Sequence, residues 1–375
     1  MNNPSEIIRY IIKNESKRNT YKIALVRAIN DIALEYPHLP LTHSGIAIPL
    51  WMLARFWFAY YWAFVDPAFP IRQGHDRTDL VFREELTHFR QAWQMGYGED
   101  NPAEGFYIKN VMATSRYSKS YPAELEELYQ TCLSKVMKSL HQPIRYAGTG
   151  EYNLFQKPTT LAELPHATPI PRTQPQDVCL FVPMELWQTF QERSQWIEAV
   201  CVDEWCSFTQ TVNQTNPMAQ PSTVYNFLTV RPDKRRMVSW EHNQIDMLLM
   251  EGFKFHCPWT SKPIMVGVPY DLDPIVPIAI QPITELWNLM PSDPIFNAQT
   301  KKDRLPSHLS FERAKPVLVE TYQQYWSSKT LKPILERDVH QRFGNLAMHN
   351  FPAQLVEHTQ NFIYKVATRR HIAEF

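Results

Sequence analysis

Asp273, Asn288 and Asn297 lie close together in the chain, and Lys301, Lys302 and Arg304 follow directly. One carboxylate and one amide oxygen suffice for a hard divalent ion such as Mg2+, which keeps the rest of its shell for water and phosphate. Basic side chains beside them suit phosphate contacts. Lys301 is four residues after Asn297, so on a helix the two share a face. The chemistry such a set could serve is phosphodiester hydrolysis. That reaction needs a metal at the leaving oxygen, a base for the attacking water and a backbone that holds both in line. The bland reading of the three basic residues is a solvated helix end.

Three short elements must position these side chains. Tyr270 to Pro277 reads as an apolar strand ending in acid, and Glu285 to Pro291 as a return strand through Asn288-Leu289. Asn297 to Arg304 reads as a short polar helix. The unit is strand, strand, helix.

This layout resembles the ββα-metal core of HNH endonucleases. It is particularly similar to the HNH domain of the RNA-guided CRISPR nucleases, where Asp-His-Ile-x-Pro precedes Asn-Leu and then an Asn with a basic residue soon after. Leu249 to Thr260 is also similar to the segment that precedes the catalytic hairpin in many HNH proteins. The resemblance covers residues 240–306. It implies a metal-dependent endonuclease acting on DNA, set in bacterial defence against phage or foreign DNA, with other defence subunits as further partners. By the same resemblance, Asp273 and Asn297 hold Mg2+ or Mn2+, and Asn288 pins the hairpin and orients the base. One position departs, since the family's first His, its general base, is Pro274 here. Proline has no titratable group, fixes φ and removes a backbone donor. The chain as it stands is therefore expected to cut poorly or not at all. Pro274 is either an inactivating substitution or the mark of a DNA- or partner-binding pseudonuclease. His242 and His256 are the nearby substitutes for a base, although a lone His beside an apolar run is more often packed.

With 375 residues the chain is long enough for two domains, and 44% hydrophobic and 13% aromatic content argue for packed cores over disorder. Thirty-eight basic residues balance 38 acidic ones, so any phosphate-facing patch must be local. Arg235 and Arg236, just before a helix over 240–250, form a second candidate patch beside Lys301, Lys302 and Arg304. The five cysteines show no paired short spacing, and Thr260 stands where a zinc-binding pair would place its second Cys after Cys257. No structural zinc is expected. The odd cysteine count and the absence of an export pattern point to a reducing cytoplasm.

The fold class read from these patterns is α+β, a mostly helical chain carrying a C-terminal ββα-metal unit. Residues 1–155 read as an N-terminal helical module for recognition or regulation, and the Pro-rich 156–177 as a connector. Residues 178–375 read as the nuclease module. Its core lies at about 240–306, after a strand over 178–182 and a helix over 183–210, and helices over 308–327, 329–342 and 352–369 brace it. Residues 46–65 are apolar enough to raise a membrane span, but Arg55 sits at the middle and Pro49 near the start. A buried helix begun by Pro49 is expected there, and no membrane.

Overall fold

The computed structural model describes residues 4–37, 39, 44–75, 78–98, 101–113, 121–148, 150–230, 234–281, 283, 285–344, 346 and 350–375, with backbone alone at 113, 234–239, 369 and 370. The chain forms two compact units. The first comprises Met1–Ala33 with Leu39–Pro232, the second Leu34–His38 with Asp233–Phe375.

In the first unit, α1 (Pro4–Arg9) and α2 (Tyr21–Glu35) precede β1 (Gly45–Pro49) and α3 (Leu50–Tyr61). Then come α4 (Arg83–Gly96), α5 (Glu104–Ala113), α6 (Ala123–Tyr146), β2 (Thr159–Thr160), β3 (Ala167–Pro169) and β4 (Val178–Pro183). Helices α7 (Met184–Glu192), α8 (Ser194–Val212) and α9 (Pro221–Thr229) complete it. The strands form one sheet in the order β2-β4-β1-β3, with β1 parallel to β3 and antiparallel to β4. Strand β1 is apolar and buried along its length. Pro49 ends it at φ −67°, the value its ring imposes, and helix α3 starts at the next residue.

Helix α3 is core. Trp57 and Phe58 are fully buried, and Phe58 meets Phe89 and Tyr129 edge to face at ring-centroid distances of 5.3 and 5.0 Å. Each such side chain stabilises the fold by about 1.5–3 kcal/mol through burial. The Arg55 guanidinium lies 4.6 Å from the centre of the Trp51 ring, a cation–π contact. Among the described residues no helix is long and apolar enough to cross a membrane.

Residues 156–177, expected as a connector, lie inside the first unit and carry β2 and β3. These are the two outer strands of the sheet, where proline is tolerated because one side needs no N–H donor. The division between units falls after Pro232 instead. The helix expected over 183–210 is two helices, broken at Arg193.

The second unit contains α10 (Lys234–Met250), a hairpin of β5 (Phe255–His256) with β6 (Pro263–Ile264), and a second hairpin of β7 (Asp271–Pro274) with β8 (Leu289–Ser292). A one-turn helix, Pro294–Phe296, runs into a π-helical turn, Asn297–Lys301. Helices α11 (His308–Ser327), α12 (Lys332–Phe343) and α13 (Phe351–Arg370) follow. Trp287, Tyr322, Tyr325, Leu355 and Phe362 are fully buried in one cluster. From α11, Tyr322 donates to the Trp287 carbonyl at 2.6 Å and Tyr325 to the Leu289 carbonyl at 2.9 Å. From α12, Asp338 accepts the Leu286 N–H at 2.9 Å. Two helices thus fix the turn that leads into β8, and α11 its first residue, by the backbone. The whole is an α+β chain, mainly helical with small sheets.

Candidate functional site

Strand β7 pairs with β8 in antiparallel register, Asp271 opposite Ser292 and Pro274 opposite Leu289. The loop between the strands is tied by Asn288, which is fully buried. Its Oδ1 accepts the Val276 N–H at 2.9 Å, and its Nδ2 donates to the carbonyls of Val276 at 3.2 Å and Ile283 at 3.1 Å. An amide suits this place because it supplies donor and acceptor together. The side chain closes the hairpin from inside.

Asp271 and Asp273 are two residues apart on a strand and so project from the same face. The helical turn after β8 lies against that face. Asn297 Nδ2 donates to Asp271 Oδ2 at 2.7 Å, and Lys301 Nζ stands 2.5 Å from Asp273 Oδ2. Lys301 also donates to the Pro274 carbonyl at 2.8 Å. The result is a two-rung ladder of Asp271 with Asn297 and Asp273 with Lys301. Asp271 is missing from the expected set, and its signal was the two-residue spacing from Asp273.

The expected metal pair does not fit this arrangement. A shared divalent ion would need oxygens from both Asp273 and Asn297, but Asn297 turns its amide nitrogen to Asp271, while the Lys301 ammonium lies against Asp273. Lys301 is 1% exposed, so its charge is held beside the carboxylate and a divalent cation there would be repelled. Among the described residues, no group of three or more His, Cys, Asp or Glu side chains could hold a metal.

The basic residues divide. Lys301 turns inward and cannot face a phosphate backbone, because its helical turn packs on the acidic face of β7. Lys302 is exposed at φ +50°, where the turn ends. Arg304 is half-buried and donates to the Thr300 carbonyl and, at 3.4 Å, to the Glu374 carbonyl. Arg235 and Arg236 lie in α10, with side chains outside the described residues.

Pro274 is buried at the end of β7, and each nearby histidine has an acidic partner of its own. His242 stacks on Tyr270 with ring centroids 4.4 Å apart and has Nδ1 3.2 Å from Asp246 Oδ2. His256 has Nδ1 3.3 Å from Glu320 Oε2. At the start of the helical turn, Asp293 caps the Ile295 N–H at 3.0 Å, and Lys262 Nζ lies 2.5 Å from its other oxygen. The Lys262 hydrogen bond, with help from the capped backbone, holds the Asp293 carboxyl below its ordinary value.

Residues 1–228 match a family described as "Domain of unknown function (DUF8808)", and the chain belongs to that family. The ladder on β7 lies beyond the matched residues. No curated protein and no solved structure matches the chain.

Proposed function

We propose that the second unit is an HNH-like ββα unit that binds DNA without cutting it. The observation that carries this reading is the buried Lys301 ammonium on Asp273. A cutting site of this type needs a base after the acid and a cation-accepting carboxylate. Here the base position is proline, and the carboxylate already has its counter-charge inside the fold. The tied hairpin and its helical turn keep the scaffold of such a site without its chemistry. Exposed Lys302 and half-buried Arg304 supply the phosphate contacts, of the non-specific, salt-sensitive kind.

The test pairs binding with cleavage. A short fluorescein-labelled duplex is expected to bind, more weakly as salt rises, and more weakly still to Lys302→Glu. Supercoiled plasmid with Mg2+ is expected to stay intact with the unsubstituted chain and with Pro274→His. Metal-dependent nicking by the unsubstituted chain overturns the reading.

The Asn288 tie favours a second reading, a metal-dependent DNA endonuclease silenced at one residue. A hairpin kept in this closed form is what a restored base would need. Nicking by Pro274→His with Mg2+, abolished by chelator, would select this reading. Nicking only after Lys301→Ala is added to Pro274→His would identify the ammonium as the second block.

A further inference from the structure

In the first unit, a cavity of about 500 Å³ opens beside the start of α2, lined among others by Lys17, Arg18, Asn19, Lys22, Gln142 and Tyr146. The volume lies within the range of small-molecule pockets. No carboxylate is among the described lining residues, although three cations are. Lys22 is paired with Glu15, which sits behind the wall at 8% exposure and also accepts the Gly148 N–H. Lys17 is held loosely. Its Nζ donates to the Glu15 carbonyl at 3.3 Å and is 3.7 Å from Glu204, whose other oxygen is 2.8 Å from Lys13. Burial pushes the Lys17 ammonium below its ordinary value, with Glu204 only partly opposing the shift. The Arg18 side chain is exposed and, among the described residues, has no hydrogen-bond or ion-pair partner.

We propose that this cavity binds a small organic phosphate, its phosphate group held by Arg18 and Lys17 and its ring lying against Tyr146. A guanidinium meets a phosphate through two parallel hydrogen bonds, and the Lys17 ammonium, on a side chain only 9% exposed and with Glu204 no nearer than 3.7 Å, gains a closer counter-charge when an anion arrives. Asn19 already spends its Oδ1 on the Tyr21 N–H and its Nδ2 on the Thr78 carbonyl, so it shapes the wall and does not take the ligand. Gln142 offers an amide at the rim. The Tyr146 ring is exposed, and with the Arg145 guanidinium 5.2 Å from its centre it leaves its other face to an adenine or similar base. The site lies wholly within the residues that match the family of unknown function. It is independent of the reading of the second unit.

The experiment is calorimetric titration of the full chain with AMP, inorganic phosphate and adenosine. AMP is expected to bind more tightly than inorganic phosphate, and adenosine not to bind measurably. Arg18→Gln, an exposed position where folding is not at stake, is expected to weaken AMP by at least ~10-fold. Lys17→Gln is expected to weaken it similarly, and AMP is expected to slow acylation of Lys17 by an amine reagent. The proposal is overturned if AMP fails to bind the unsubstituted chain at millimolar concentration. It is also overturned if AMP binds Arg18→Gln and the unsubstituted chain equally.

Discussion

The Lys301 ammonium lies 2.5 Å from Asp273 Oδ2, with the lysine side chain 1% and the aspartate side chain 11% exposed. Removing one partner of such a buried pair leaves the other charge without compensation, a loss of about 3–5 kcal/mol. Lys301→Met is expected to destabilise by that amount in urea unfolding followed by circular dichroism. The double variant Lys301→Met, Asp273→Leu is expected to recover most of it, because no buried charge remains. Equal losses in the single and double variants would mean that the pair is not the source.

Asn288→Ala strips the hairpin loop of three hydrogen bonds and leaves the Val276 N–H and two carbonyls buried around a small cavity. Unsatisfied buried groups cost about 1–3 kcal/mol each, with partial relief as the loop relaxes. A loss of about 3 kcal/mol is expected on urea unfolding. Asn288→Asp, which keeps the acceptor for Val276 N–H but removes both donors, is expected to lose at least as much.

How far the fold is legible in the sequence depends on the distance over which each element is decided. Helix α11 is readable because Phe311, Ala314, Leu318, Tyr322 and Tyr325 recur at helical spacing, and all five are buried. Strands β2 and β3 are not readable, because at two and three residues they have no period of their own. They exist through pairing with β4 and β1. At the site, Asp273, Asn288 and Asn297 stand out through the resemblance to HNH endonucleases, not through residue type or spacing alone. That Lys301 turns inward could not, since a basic residue on a short polar helix reads as solvated until the acidic face of β7 is known to lie under it. The cavity near α2 is equally hidden, for Arg18 and Tyr146 line one cavity only in the fold.

Gly105 lets α5 approach α3 closely. A Cβ there would stand 2.5 Å from the Trp62 Cβ and 2.8 Å from the Ala59 carbonyl oxygen. Backbone cannot yield as a flexible side chain does, so Gly105→Ala is expected to cost about 1–3 kcal/mol. Gly96, the last residue of α4, has nothing within 4 Å of its added Cβ. Gly96→Ala is expected to be neutral or to gain about 0.5–1 kcal/mol through the unfolded chain. Thermal unfolding of the two variants should move in opposite directions from the unsubstituted chain. A fall for both would show that space around the added methyl does not decide the outcome.

Asp293 gives the second unit a defined acid response. Its folded pKa lies below the ordinary value of 3.8, first because Lys262 donates to the carboxylate and then because the capped backbone does. A depressed carboxyl contributes stability that is fully present above the unfolded value and is lost as pH falls through the folded one. Lys262→Ala removes the main cause, so the stability gap between it and the unsubstituted chain should be constant above about pH 5 and close as the solution is taken below 3.8. Urea unfolding at a series of pH values measures that gap. Added salt should shrink it as well, because Lys262 is largely exposed and its charge is screened. A gap that persists to pH 2 would mean that Lys262 stabilises through its aliphatic stem and not through the ion pair.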